Sequence, residues 1–297
     1  MKKYLAFFCL AALIISLAGC GKEAQEARPK ANLTVLTSFY PIYIATLNVT
    51  QGVEGVEVVN LTKPQTGCLH DYQLTTEDMR KLETADVFVV NGAGMEQFLD
   101  KALGQHKDLP VVEASEGIAL LGEKGAENPH VWVSVANAAR QTETIAARLA
   151  AIDPKHADAY RKNAADYTAK LEALRTEMHA QIDPLPNKAV VTFHEAFPYF
   201  AQEFGLRIAA VVEREPGSEP SPRALEETIR AVRAAGARAL FAEPQYPSGA
   251  AETIARETGA TVYTLDPVVT GEATPQAKDA YIEAMRKNMQ TLVQALR

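Results

Sequence analysis

Cysteine and tryptophan are nearly absent: the 297-residue chain has only Cys9, Cys20 and Cys68, and a single tryptophan, Trp132. Three thiols rule out a scaffold stapled by many disulfides. Positive charge is also short, with 30 Lys and Arg against 37 Asp and Glu for a formal net charge of -7. The basic residues are scattered rather than gathered into a stripe, which removes the electrostatic footprint of a nucleic-acid binder. No Gly-x-Ser-x-Gly elbow and no glycine-rich phosphate loop occurs, so neither a hydrolase nucleophile nor a nucleotide cradle is written here. After the N-terminal segment, little is hydrophobic enough to span a bilayer. What is present is 47% hydrophobic and 23% charged, the balance of a packed globular protein rather than a disordered or low-complexity one. The length accommodates one large or two medium domains. A cationic or small-molecule ligand suits the acidic balance best.

The N-terminal run LAFFCLAALIISLAG follows Lys2 and Lys3. A charged n-region and a short apolar h-region predict a secretory signal over residues 1–19, removed from the mature protein. The run ends in Leu17-Ala18-Gly19-Cys20, which looks like a bacterial lipobox. Cys20 is then the lipidated N-terminus, and residues 20–31, polar and aperiodic, form a tether. Several acyl chains hold a protein on a membrane stably where one does so only marginally. The plainer alternative is an ordinary signal with an incidental cysteine. With Cys9 removed and Cys20 acylated, Cys68 stands alone and no intramolecular disulfide forms.

The remaining chain alternates strand-like and helix-like segments. Short β-branched runs occupy 32–38, 56–61, 86–92 and 109–114 in the first half, and 188–193, 206–212, 237–243 and 260–265 in the second. Thr75 with Asp78 three residues on has the pattern of a capping box. Ser221-Pro222 opens a second clear helix, which Gly236 closes. Alternation of this kind predicts an α/β fold with two lobes built on mostly parallel sheets, residues 32–153 and 183–297. Between them, residues 154–182 contain no glycine and no proline after Pro154. Tyr160, Tyr167, Leu171, Leu174, Met178 and Ile182 recur there at helical spacing. One rigid helix of about 29 residues, some 43 Å long at about 1.5 Å per residue, is expected to join the lobes.

Of six histidines, His106, His156 and His179 lie in polar loop or helix-surface contexts and read as solvated. His70, His130 and His194 stand where a strand or loop ends. A single histidine after a strand is more often a hydrogen-bonded core residue than a ligand, so the set matters more than any member. In open α/β sheets, ligands bind beyond the carboxyl ends of the strands. His70 follows the VEVVNL run, His194 terminates VVTF, and Asp266 terminates ATVYTL. Neutral imidazoles with one carboxylate suit a borderline divalent cation, zinc above all.

Taken in order, the motifs HDYQLTTEDMRKLETADVFVVNG, Pro129-His130-Val131-Trp132, FHEAFPYF, Glu243-Pro244 and Leu265-Asp266-Pro267 resemble the metal-binding lipoproteins of bacterial zinc and manganese ABC importers. These are the solute-binding proteins whose two α/β lobes are joined by a rigid helix. The resemblance covers nearly the whole mature chain. It implies that His70, His130, His194 and Asp266 are the metal ligands, the first two from one lobe and the last two from the other. It implies capture rather than catalysis, a transported Zn²⁺, an ABC permease as partner, and a monomer on the outer side of the cell membrane, anchored through acylated Cys20. Members handling manganese tend to carry Glu at the third position and zinc members His, so His194 points to zinc. Mn²⁺ or Fe²⁺ is the alternative cargo. The interval before His130 lacks the His-rich acidic loop of many zinc members. Glu195 stands beside His194 and offers an oxygen if the loop turns. Glu243 is either a fourth ligand in place of Asp266 or a partner orienting an imidazole N–H. Cys68, two residues before His70, reads as incidental packing.

Two rivals of other classes fit less well. A zinc hydrolase is suggested by His194-Glu195, the start of a His-Glu-x-x-His motif, but the residue four places on is Pro198; the second ligand is missing. A surface adhesin leaves the gathering of histidines at strand ends unexplained.

Overall fold

The computed structural model describes residues 32–64, 67, 69, 72–212, 220–245 and 249–297. Cys20, Cys68 and His70 lie outside them, as do residues 1–31, where the signal and tether are expected. In chain order the first half runs β1 (Leu33–Thr37), α1 (Tyr40–Val49), β2 (Val56–Asn60), α2 (Thr76–Thr84), β3 (Val87–Val90), α3 (Asp100–Leu103) and β4 (Val111–Glu113). A small hairpin, β5 (Gly122–Glu123) and β6 (Ala126–Glu127), leads to α4 (Val135–Ile152) and the long α5 (Ala157–Ile182). The second half runs β7 (Ala189–Thr192), α6 (Pro198–Glu203), β8 (Arg207–Val211), α7 (Pro222–Ala235), β9 (Ala239–Ala242), α8 (Gly249–Thr258), β10 (Thr261–Thr264) and α9 (Ala280–Leu296).

Each half carries one parallel sheet, ordered β2-β1-β3-β4 and β10-β9-β7-β8. The fold is therefore the expected α/β one, two lobes on parallel sheets joined by a long helix. Strands such as β3, Val87-Phe88-Val89-Val90, are buried along their whole length. That is what a β-branched run in a parallel sheet covered on both faces requires. Helix α2 opens on the Thr75–Asp78 capping box, and α7 begins at the Ser221 cap and closes on Gly236, whose φ of 60° only glycine adopts at no cost.

The connecting helix departs slightly from expectation at its start. Residues Pro154–His156 form a 3₁₀ turn before α5. The cause is local: the Asp153 carboxylate sits 2.6 Å from His156 Nδ1 and accepts from the Tyr160 hydroxyl at 2.7 Å, tightening the turn. Beyond it, the buried stripe of Tyr160, Ala164, Tyr167, Leu171, Leu174, Met178 and Ile182 keeps one face of α5 in the core.

That core is continuous across the two lobes. Ile42 and Val87 from the first half, Leu171 and Met178 from α5, and Phe200, Phe241 and Leu292 from the second belong to a single cluster. Polar ties reinforce it. Trp132 Nε1 donates to the Pro267 carbonyl at 2.8 Å, and the Tyr281 hydroxyl returns to the Trp132 carbonyl at 2.7 Å. The Gly271 N–H donates to the Pro64 carbonyl at 2.9 Å. Gly271 lies so close to the Tyr40 ring that a Cβ there would collide with it. No helix among the described residues is long and apolar enough to cross a membrane.

The most concentrated tie is Glu203, at the end of α6. Its carboxylate accepts from the N–H groups of Val135 and Ala136, at 2.8 and 3.2 Å, and from Arg175 Nε on α5 at 2.8 Å. One acid from the second lobe thus caps the first turn of α4, where helix N–H groups lack internal partners. Glu203→Ala should lower the unfolding free energy by about 1–3 kcal/mol in urea titrations, because it removes the buried acceptor of two N–H groups at the start of α4. A loss under about 0.5 kcal/mol would mean that water replaces the carboxylate freely.

Candidate metal centre

The second sheet delivers its chemistry to one edge. Register pairs Thr192 with Phe241 and Ala242 with Thr264, so β7, β9 and β10 end nearly level. Just beyond them stand His194, Glu243 and Asp266. In the first lobe, the loop after β6 carries Asn128, Pro129 and His130 into the 3₁₀ turn Val131–Val133, and α4 then begins at the Ser134 cap, whose hydroxyl accepts from Asn137 N–H.

His130 and His194 meet. Their ring centroids are 4.7 Å apart and the planes cross at 83°, and each residue is 2% exposed. Trp132 closes one flank, its ring 5.2 Å from that of His130. Glu243, also 2% exposed, places Oε1 3.4 Å from His194 Nδ1 while its Oε2 accepts from Gln245 Nε2 at 2.6 Å. Asp266 lies at the same edge but is held to its own loop: Oδ1 accepts from the Val268 N–H at 2.7 Å. Asn288 on α9 grips its backbone twice, accepting from the Asp266 N–H at 2.9 Å and donating to its carbonyl at 2.7 Å. Burial pushes the Asp266 carboxyl above the usual range, against the lowering effects of the Val268 N–H and Lys287. The Glu195 side chain is exposed, while its carbonyl accepts from Asn128 Nδ2 at 2.8 Å. Among the described residues, no three His, Cys, Asp or Glu side chains converge closely enough to hold a metal. The described site is the His130–His194 pair with Glu243 against it, and His70 lies outside those residues.

Several supporting residues carried no signal strong enough to single them out in the sequence. Asn91, one residue past β3, donates from Nδ2 to the Pro129 carbonyl at 2.9 Å, while its Oδ1 accepts from Gln141 Nε2 at 2.9 Å. Glu96 braces that turn, accepting from the Asn91 and Gly92 N–H groups at 2.7 and 3.0 Å. The loop holding His130 is thus built from a buried chain of amides and one acid. Asn91-Gly92 at a strand end was the available clue; the roles of Gln141 and Glu96 follow only from tertiary packing.

Comparison with known proteins is consistent with this architecture. Residues 35–295 match the family model described as ZnuA, zinc-uptake complex component A, periplasmic. The high-affinity zinc uptake system protein ZnuA of Bacillus subtilis is 29% identical over 99% of this chain and 98% of its own length. The zinc-binding lipoprotein AdcA of Streptococcus pneumoniae is 30% identical over 94% of this chain, which spans only 58% of that relative. Among solved structures, the Pseudomonas aeruginosa SBP FpvC in complex with Ni²⁺ superposes with a TM-score of 0.80 at 34% identity, covering 89% of this chain and 96% of that one. The laminin binding protein of Streptococcus agalactiae, described as bifunctional with adhesin and metal transporting activity, gives 0.80 at 31% identity over 89% of this chain and 100% of its own.

The acid that braces the Asn91–Gly92 turn is itself titratable. Burial pushes the Glu96 carboxyl from its ordinary 4.5 up to about 7. A raised carboxyl stabilises the fold fully below its unfolded value, and that contribution disappears as pH rises through about 7. Relative to Glu96→Gln, the wild type should therefore lose up to about 3 kcal/mol between pH 4.5 and pH 8 in chemical denaturation. A difference that stays flat with pH would show that the two backbone N–H groups, rather than burial, govern this carboxyl.

Proposed function

The chain belongs to the zinc-uptake complex component A family, and from that premise we propose that it captures Zn²⁺ outside the cytoplasmic membrane and hands it to an ABC-type permease. The ligands in this reading are His70, His130, His194 and Asp266. Glu243 orients the His194 imidazole through Nδ1, leaving Nε2 for the metal, and Glu195 serves through its backbone. Cys20 carries the lipid anchor, so the protein works tethered to the membrane as a monomer.

The observation that carries the proposal is the approach of His130 and His194, one from each lobe, buried together at 4.7 Å. Two imidazoles and a nearby carboxylate match the borderline character of zinc, which accepts nitrogen and oxygen in a four-coordinate shell. An imidazole at position 194 favours Zn²⁺ over Mn²⁺, whose preference runs to oxygen. Manganese is the second reading, favoured by the likeness to FpvC, solved also in complex with Mn²⁺. Capture in this scheme joins the lobes through the ion rather than opening a hinge, since α5 and the shared core leave little room for large motion.

The test is metal content and competition on the chain from residue 21 onward. One tightly held zinc that survives excess manganese is expected, with affinity falling as pH drops because histidine ligands must shed their protons. His194→Ala should weaken zinc binding at least about 100-fold. Preferential retention of manganese would transfer the assignment to that metal. Undiminished zinc affinity in a His70→Ala, His194→Ala double variant would remove the site.

A further inference from the structure

Two residues before His130, Asn128 spends its polar groups on both lobes. Its backbone N–H donates to the Leu121 carbonyl at 2.7 Å, and its carbonyl accepts from the Tyr199 hydroxyl at 2.7 Å. The side-chain Oδ1 accepts from the His130 backbone N–H at 2.9 Å and lies 3.0 Å from Nδ1 of the same residue. Nδ2 donates to the Glu195 carbonyl at 2.8 Å.

Which end of an amide is oxygen is settled by its neighbours. Here two of them are unambiguous: a backbone N–H can only donate, and a backbone carbonyl can only accept. The oxygen of Asn128 therefore faces His130 and its NH₂ faces Glu195. An amide oxygen cannot donate, so the ring nitrogen beside it must carry the hydrogen. That makes the neutral His130 an Nδ1–H tautomer, with its lone pair on Nε2. The other end of the same amide grips the carbonyl next to His194, so one planar group sets both the ring state of the first histidine and the position of the second.

We propose that Asn128 is a positioning residue for metal capture. It locks His130 into the tautomer that presents Nε2, and it fixes the spacing of the two imidazoles by bridging their loops. The inference rests on the reading of His130 as a metal ligand and adds to it a residue outside the proposed ligand set. Asparagine suits the task because its amide supplies an acceptor and a donor in one plane. Leucine has neither, and aspartate has only the acceptor.

The experiment uses the chain from residue 21, which retains the compact body of residues 32–297. Ring nitrogens of metal-free, ¹⁵N-histidine-labelled protein are followed by NMR at about pH 8, where histidine is neutral, and the His130 signals are assigned by their loss in His130→Ala. Zinc affinity is measured by competition with a chromophoric chelator. The wild type should show His130 as Nδ1–H. Asn128→Leu should move that population toward Nε2–H and weaken zinc binding about 10–100-fold. Asn128→Asp should keep the Nδ1–H signature, lose the bond to Glu195 and bind zinc less tightly than the wild type but more tightly than the leucine variant. It serves as the test even if the leucine variant fails to fold. A wild-type His130 found as Nε2–H, or wild-type affinity in either Asn128 variant, would overturn the inference. Unchanged affinity in His130→Ala would instead overturn the ligand assignment beneath it.

Discussion

Two buried imidazoles in edge-to-face contact, one contributed by each lobe, are the constraint around which the molecule is arranged. Polar rings are costly to bury unless their nitrogens find polar neighbours, and each ring has one set against it. Asn128 serves His130, while Glu243 approaches His194 from the next strand end. Neither lobe alone supplies the pair. The shared core, the Trp132–Pro267 and Gly271–Pro64 bonds and the Glu203 cap keep the lobes at the separation that the pair demands.

Two acids in the loops after β3 and β10 sit in surroundings that disfavour their charge. Asp266 and Glu96 are both pushed upward by burial. A dication held by Asp266, as in the proposed ligand set, would favour its ionised form, so binding and local electrostatics would reinforce one another. In the proposed ligand set, selectivity would follow from donor chemistry: imidazole nitrogen draws zinc-like ions, while an extra carboxylate oxygen shifts preference toward harder ones.

Much of this was legible in the sequence. The eight β-branched runs, the Thr75 capping box, the Ser221 and Gly236 helix ends and the apolar stripe of α5 each reflect local periodicity or local caps, and the structure forms them close to where they were expected. His194 and Asp266 stand just beyond strand carboxyl ends, as the rule for open α/β sheets leads one to expect, whereas the meeting of His130, from a loop before a helix, with His194 was suggested by the family resemblance. What the sequence did not disclose are contacts made by long-range packing. Glu203 capping α4, Asn288 gripping Asp266 and Gln141 bracing Asn91 join residues 68, 22 and 50 positions apart, and no local pattern marks them. The 3₁₀ turn before α5 escaped for a different reason: it depends on a side-chain carboxylate whose two partners are set by geometry rather than by composition.

The central claim is that a single zinc ion sits between the lobes, bound to nitrogen from both. Anomalous diffraction from zinc-loaded crystals, collected on either side of the zinc edge, tests it most directly. The account predicts one strong peak about 2.0–2.1 Å from Nε2 of both His130 and His194. A peak bound elsewhere, or one that touches only one of these two rings, would contradict it.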